Sequence, residues 1–327
     1  VGLIRALVDS GHDVLAIAPV DDFVKEIEEL GARFISIDMD RQGQNPIKDA
    51  ALFWHYFKIM KSEGIDCILT YTIKPNIYAS LAARFLKIKV INNISGLGTT
   101  FIQRSWLLVL IKPAYHQAFK KSAHVFFQNR EDRSEFLRHR LVREEITSTI
   151  PGSGVDLIRF SPVPWRNTNG KPAVRFLLIA RLLLDKGVSE YVEAARRTRY
   201  RFANISFQLL GGLDQKNPRS IQRASLDYWI KSKDVEYLGE QRDIRPFIEA
   251  ADCIVLPSYR EGLPRVLLEA GAMARPSITT DVEGCRDVVV DNSTGLICKA
   301  RDASMLAETM EKFINIFYHL RSQWIII

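Results

Sequence analysis

The chain has 327 residues, 47% of them hydrophobic and 25% charged, which leaves room for two domains of about 150 residues each and argues against a disordered chain. No apolar run approaches the roughly 18–20 residues that span a bilayer. The four cysteines (Cys67, Cys253, Cys285, Cys298) include no C-x-x-C pair, which argues against a disulfide or cysteine-metal framework and fits a reducing compartment.

The net charge of +7 is uneven: residues 84–143 carry 12 Lys and Arg against 3 Asp and Glu, whereas residues 1–40 carry 3 against 9. Such a basic block suits nucleic acid, anionic lipid or a phosphorylated substrate, and charge alone does not choose among them. The chain opens in an amphipathic helical pattern with Leu3, Ile4, Leu7 and Val8 on one face. After Gly11, short apolar or β-branched runs at 14–18, 34–37, 67–70, 90–93, 125–128 and 146–150 alternate with helical stretches such as 24–30 and 50–62. That alternation predicts βαβ units around a parallel sheet. A polar, Pro-rich stretch at 160–172 predicts a linker. The series then restarts at 175–180, 206–210, 236–238, 253–256, 277–280 and 295–298. The expected fold class is α/β with two Rossmann-like, doubly wound domains, residues 1–168 and 169–327. A doubly wound domain ordinarily opens with a strand and a Gly-rich turn, so the N-terminal strand is expected to be missing. At the other end a helix is expected over 303–316, with no clear period in 317–327.

The chemistry concentrates at three strand ends of the second domain. The strand at 253–256 runs into Pro257-Ser-Tyr-Arg-Glu261-Gly-Leu-Pro264 and a helix expected to begin near Pro264, a favoured first helical position. Ligands of open α/β sheets bind at the carboxyl ends of the strands, and a helix N-terminus there suits phosphate or sugar oxygens. Glu261 in the turn and Glu269 in the helix offer carboxylates to sugar hydroxyls or a ribose diol. Taken alone, the two glutamates read better as a helix-dipole partner (Glu261) and a solvated helix charge (Glu269); the other two strand ends reverse that preference. The strand at 175–180 ends in Arg181 and, five residues on, Lys186-Gly187, a guanidinium and an ammonium able to clamp a diphosphate. At the third, Gly211 and Gly212 allow close approach of backbone to a ligand. Together these outline a site for a nucleoside-diphosphate sugar.

Arg181-x4-Lys186-Gly187 and Glu261-x7-Glu269 resemble the paired signatures of the retaining glycosyltransferases of family four, whose two facing Rossmann-like domains form the GT-B fold. Gly11 to Pro19, Thr72-Ile-Lys-Pro-Asn76, Asn93-Ile-Ser-Gly-Leu-Gly98, Phe127-Gln-Asn129 and Pro151-Gly-Ser-Gly-Val-Asp156 extend the resemblance along the chain. They look like a bacterial subgroup that builds capsule, O-antigen or protein-linked glycans on undecaprenyl diphosphate, often with N-acetylgalactosamine from a UDP donor. The resemblance implies that Arg181 and Lys186 hold the donor diphosphate and that Glu269 binds the ribose. It implies that Glu261 contacts the transferred sugar, helped by backbone N–H groups at Gly262 and Leu263, with Gly211 and Gly212 lining the nucleotide pocket. Lys74, Ser95, Gly96 and Gly98 would border the acceptor. It further implies a UDP-sugar donor, a polyprenyl-diphosphate-linked acceptor, no resident metal or cofactor, and a cytoplasmic place on the inner face of the membrane. Ser95 stands where many relatives carry His, so no general base is assigned; Ala180 replaces a Gly before Arg181. With the first strand and its loop expected to be missing, UDP binding without efficient transfer is the expected behaviour.

The basic block has two readings of equal weight: an interfacial surface for anionic lipid, with the apolar run 106–111 beside it, or a core helix with a solvated basic face. The six histidines show no ligand spacing such as H-E-x-x-H. A UDP-sugar epimerase of the same architecture is the nearest rival. A nicotinamide dehydrogenase would require G-x-G-x-x-G with an acidic residue about 20 residues on, and an RNA-binding module would require a recognisable motif; neither is present.

Overall fold

The computed structural model describes residues 2–39, 45–96, 107–165, 174–214 and 217–323. The chain divides into two units, residues 1–149 and 150–327.

The first unit alternates helix and strand: α1 (Gly2–Asp9), β1 (Leu15–Ala18), α2 (Val24–Glu29), β2 (Arg33–Ser36), α3 (Pro46–Glu63), β3 (Cys67–Tyr71), α4 (Ser80–Leu86), β4 (Lys89–Ile94), α5 (Leu107–Phe119), β5 (His124–Phe127), α6 (Arg130–Arg138) and β6 (Thr147–Thr149). Among the described residues β1 pairs with β2, and β3-β4-β5-β6 form a second sheet; every pairing is parallel. Local chemistry sets the helix ends. Asn45 accepts from the N–H groups of Ile47 and Lys48, Pro46 opens α3, and Gly64 closes it with a left-handed φ of 63°. Asn129 caps α6 by accepting from the Asp132 N–H at 2.7 Å. Leu52, Tyr56 and Met60 of α3 pack on Ala82, Ala83 and Val90, while Tyr115, Phe119, Phe127 and Phe136 form an aromatic core under α5 and α6. Between them lies a buried polar network. Asn92 donates to Thr70 (2.7 Å) and Ser80 (2.8 Å), Thr70 donates to Asn76 (2.6 Å), and Ser122 donates to Asn92 (2.6 Å). The network satisfies the polar groups that these residues bring inside.

The second unit comprises β7 (Val174–Ile179), α7 (Val188–Arg201), β8 (Ile205–Leu210), α8 (Arg223–Lys231), β9 (Glu236–Tyr237), α9 (Arg245–Ala250), β10 (Cys253–Leu256), α10 (Arg265–Ala272), β11 (Ser277–Thr280), β12 (Gly295–Cys298) and α11 (Ala303–Gln323). Its sheet runs in the order β12-β11-β10-β7-β8-β9, parallel throughout. Alternate residues of β7 feed two cores. Phe176 and Leu178 join Tyr191, Val192, Met310 and Phe313, while Leu177 and Ile179 join Ile248, Ala270 and Met273. A strand buried on both faces reads as a continuous apolar run, and helices cover it on both sides. The connection leaves β7 for β8 in one direction and resumes at β10 on the other flank of β7, which places the switch in strand order between β7 and β10.

Several boundaries differ from the sequence expectation, each for a visible reason. The unit break precedes the Pro-rich stretch because Val155, Phe160 and Val163 pack into the core of the second unit. Arg275, buried, secures that segment by donating to the carbonyls of Val163 (2.9 Å), Pro164 (3.0 Å) and Glu249 (3.0 Å), with its guanidinium 4.9 Å from the Trp165 ring centre. Pro264 is the N-cap of α10 rather than its first residue. The last helix runs on to Gln323, beyond the expected 316, because Phe317 continues the buried stripe of Met310, Phe313 and Ile314 and meets Trp165 edge-on at 5.2 Å.

Candidate functional site

β7 and β10 lie side by side, with Cys253 opposite Phe176 and Ile254 opposite Leu177. The loops that leave their carboxyl ends are therefore neighbours. The β7 loop carries Arg181, then a short 3-10 turn, Leu184–Lys186, closed by Gly187. The β10 loop carries Glu261 and feeds α10. Backbone joins the two: the Asp185 carbonyl accepts from the Tyr259 N–H at 2.9 Å and from the Ser258 hydroxyl at 3.1 Å. On this frame the Lys186 ammonium meets the Glu261 carboxylate at 2.5 Å, both side chains largely buried. Residues 75 positions apart thus form one charged centre at the switch point. The neighbouring Asp185 carboxylate is held by Arg219 at 2.5 Å.

Gly211 and Gly212 follow β8 on the other flank of β7. Gly211 has φ +148°, and a Cβ there would lie 1.8 Å from the Ala180 carbonyl oxygen. At Gly212 a Cβ would meet the Glu240 carboxylate at 2.4 Å. Leu182 donates its N–H to the Gly212 carbonyl at 2.9 Å, tying this turn to the segment after Arg181. The Arg181 side chain is 63% exposed and reaches Asp214 at 3.5 Å, so its guanidinium stands largely open to solvent. Gly262 and Leu263 are hemmed in by other loops of the same unit. A Cβ at Gly284 would lie 2.3 Å from the Gly262 carbonyl, and one at Gly152 would lie 2.6 Å from the Leu263 side chain.

Glu269 is not a solvated helix charge: the residue is 6% exposed. Burial raises its pKa above the usual carboxylate value; Arg265 opposes the rise, and Arg159 more weakly. Arg265 donates to Glu269 Oε1 at 3.0 Å. The i,i+4 spacing of Arg265 and Glu269 was present in the sequence, but such pairs are common on helix surfaces, and only the burial of Glu269 singles this one out.

In the first unit, Lys74 follows β3, and Ser95 and Gly96 follow β4. These adjacent strands pair at Tyr71 and Asn93, so the three residues share one carboxyl edge. Ser95 is exposed and Gly96 has φ +129°. The Lys74 ammonium is engaged by Asp49 at 2.7 Å, and Tyr78 donates to the same carboxylate at 2.8 Å. Gly98 lies outside the described residues, as do the side chains of the apolar run 106–111. The rest of α5 turns Tyr115, Ala118 and Phe119 into the core, while Lys120 and Lys121 are exposed. Among the described residues no helix is long and apolar enough to cross a membrane, and no group of three or more His, Cys, Asp or Glu is arranged to hold a metal ion.

Residues 2–129 match the family model for glycosyl transferase 4-like domains, and residues 164–325 match that for glycosyl transferases group 1. The chain is 32% identical to the N,N'-diacetylbacillosaminyl-diphospho-undecaprenol alpha-1,3-N-acetylgalactosaminyltransferase of Campylobacter jejuni, over 96% of this chain and 85% of that protein. It is 25% identical to the UDP-Gal:alpha-D-GlcNAc-diphosphoundecaprenol alpha-1,3-galactosyltransferase of Escherichia coli, over 83% of this chain and 73% of that one. The Anabaena protein HepE, crystallised with UDP and glucose, shares the fold at a TM-score of 0.77 and 18% identity, covering 95% of this chain and 85% of the other. The Campylobacter and Escherichia coli relatives are transferases, not epimerases. Matched along both units by sequence and by fold, the chain belongs to the family-four glycosyltransferases, enzymes of the GT-B fold.

Proposed function

We propose that this glycosyltransferase moves an N-acetylhexosamine, with retention, from a UDP-sugar to a polyprenyl-diphosphate-linked saccharide in the assembly of a bacterial surface or protein-linked glycan. The observation that carries the reading is the Lys186–Glu261 pair at the switch point between β7 and β10, a cation and a carboxylate where a nucleoside-diphosphate sugar is expected to lie. The sequence match to the Campylobacter N-acetylgalactosaminyltransferase supports the choice of sugar and acceptor.

In this proposal Arg181 and Lys186 take the diphosphate, Arg181 bidentately and Lys186 as a point charge. Arg181 needs little rearrangement because it is already open to solvent. Lys186 turns from Glu261 toward phosphate, which releases Glu261 to accept from hydroxyls of the transferred sugar beside Gly262 and Leu263. Glu269 accepts from the ribose diol, and Gly211 and Gly212 let the backbone close on the nucleotide. The acceptor hydroxyl forms a bond to the anomeric carbon on the face from which the diphosphate departs. As the carbon–oxygen bond to phosphate breaks, the leaving phosphate oxygen takes the hydroxyl proton. No separate general base is required, and the two side-chain cations stabilise the departing charge without a resident metal. The first unit presents the acceptor at the edge bearing Ser95 and Gly96. The exposed cations Lys120, Lys121, Arg130, Arg138, Arg140 and Arg143 hold the enzyme to anionic lipid on the cytoplasmic face of the membrane.

The test is titration calorimetry with UDP and uridine. Loss of two charge-assisted hydrogen bonds in Glu269→Ala costs about 2–3 kcal/mol, roughly 30–150-fold in Kd for both ligands. Arg181→Ala weakens UDP much more than uridine, because it touches only phosphate. Equal losses for the two ligands in Arg181→Ala would show that the clamp is misassigned.

A further inference from the structure

Glu269 sits where a carboxylate is costly to keep charged. It lies one turn into α10 with its side chain 8% exposed, and its ion-pair partner, Arg265, is 64% exposed at the start of the same helix. Arg265 is therefore not held in place by burial; the i,i+4 register and the 3.0 Å contact to Oε1 hold it. A second cation acts on Glu269 from outside the helix. Arg159 comes from the segment before β7, its guanidinium 5.9 Å from the Phe160 ring centre, and its charge also bears on Asp243. A carboxylate offers about four acceptor positions, so the one taken by Arg265 leaves capacity for a diol.

We propose that Arg265 is a positioning residue for Glu269: it grips Oε1, keeps the buried carboxylate charged and fixes the orientation in which the ribose is received. The inference rests on the assignment of Glu269 to the ribose and adds to the Glu261-x7-Glu269 pair a residue whose effect is indirect. A charged carboxylate accepts both ribose hydroxyls strongly, whereas a protonated one has lost that strength and one acceptor position. Donor affinity therefore falls as pH drops through the ionisation of Glu269. Because burial raises that pKa and Arg265 opposes the rise, removing Arg265 moves the midpoint of the affinity loss to higher pH; Arg159 remains and limits the shift.

The experiment follows binding of UDP-glucose, whose phosphates keep their charge from mildly acidic to neutral pH, to the full chain and to Arg265→Met, Arg265→Lys and Glu269→Gln. In Arg265→Met the midpoint rises, and on the acid side binding weakens on the order of tenfold, the worth of one charge-assisted hydrogen bond. Arg265→Lys restores most of the wild-type profile. Glu269→Gln binds weakly throughout, with no midpoint of this kind. If Glu269→Gln is weak but Arg265→Met loses affinity equally at every pH, or not at all, the positioning role is refuted while the ribose assignment stands. Wild-type affinity in Glu269→Gln refutes the ribose assignment itself.

Discussion

Gly187 joins the Lys186 turn to α7 with φ +69°, and a Cβ there would lie 2.1 Å from the Pro257 carbonyl oxygen. Alanine at this position carries two penalties, a left-handed backbone and a collision with the β10 loop. Gly154 serves as a control, since its φ is +68° but a Cβ there would meet nothing within 4 Å. Gly187→Ala is expected to lower stability by roughly 1–3 kcal/mol and to weaken UDP binding, because Lys186 and Glu261 lose their common frame. Gly154→Ala is expected to bear only the backbone cost, about 1 kcal/mol, with UDP affinity unchanged. Urea midpoints and UDP titrations of both variants check this, and matching losses would refute the collision. At this scale the spacing of Arg181, Lys186, Glu261 and Glu269 after apolar runs marked the candidate residues. Their grouping was not legible, because the meeting of Lys186 with Glu261 depends on β7 and β10 being neighbours, which no local pattern encodes. Nor could spacing show that Glu269 is buried or that Lys74 is engaged by Asp49.

The strands were readable because each is a short apolar or β-branched run bounded by turn chemistry, and most lie within a residue or two of expectation. The last helix was less so: the value of Phe317 to it rests on Trp165, a partner far away in sequence. α5 and α6 answer only part of the question posed by the basic block. Tyr115, Ala118 and Phe119 make the end of α5 a core helix, as one of the two readings held, yet Lys120 and Lys121 are exposed, as are Arg130, Arg138, Arg140 and Arg143. If that surface meets lipid, binding to anionic vesicles exceeds binding to neutral ones and falls as salt screens it. The double variant Lys120→Glu, Lys121→Glu, which changes only exposed side chains, is expected to bind more weakly in a vesicle sedimentation assay. Salt-independent binding, or none, would leave these cations as a solvated face only.

Across the whole molecule, the alternation of strand and helix was enough to read an α/β chain with two sheet-based units. The position of the break was not, since a Pro-rich composition does not reveal that Phe160 and Val163 are apolar anchors or that Arg275 donates to the carbonyls of Val163 and Pro164. The two units also differ in how their sheets are finished. The second has one continuous six-stranded sheet, whereas in the first, among the described residues, β1 pairs only with β2 and β3 only with β4. Neither β1 nor β3 contains a charged residue, and β3 exposes Leu69 and Tyr71, each to 39%. A ladder edge without charged residues and with exposed apolar side chains is a template for another chain. Self-association during refolding is therefore expected to begin in the first unit and to grow with protein concentration. Leu69→Lys, which sets a charge on that edge at an already exposed position, is expected to reduce light scattering on refolding while leaving UDP affinity intact. Scattering unchanged by that substitution would place the origin of association elsewhere in the chain.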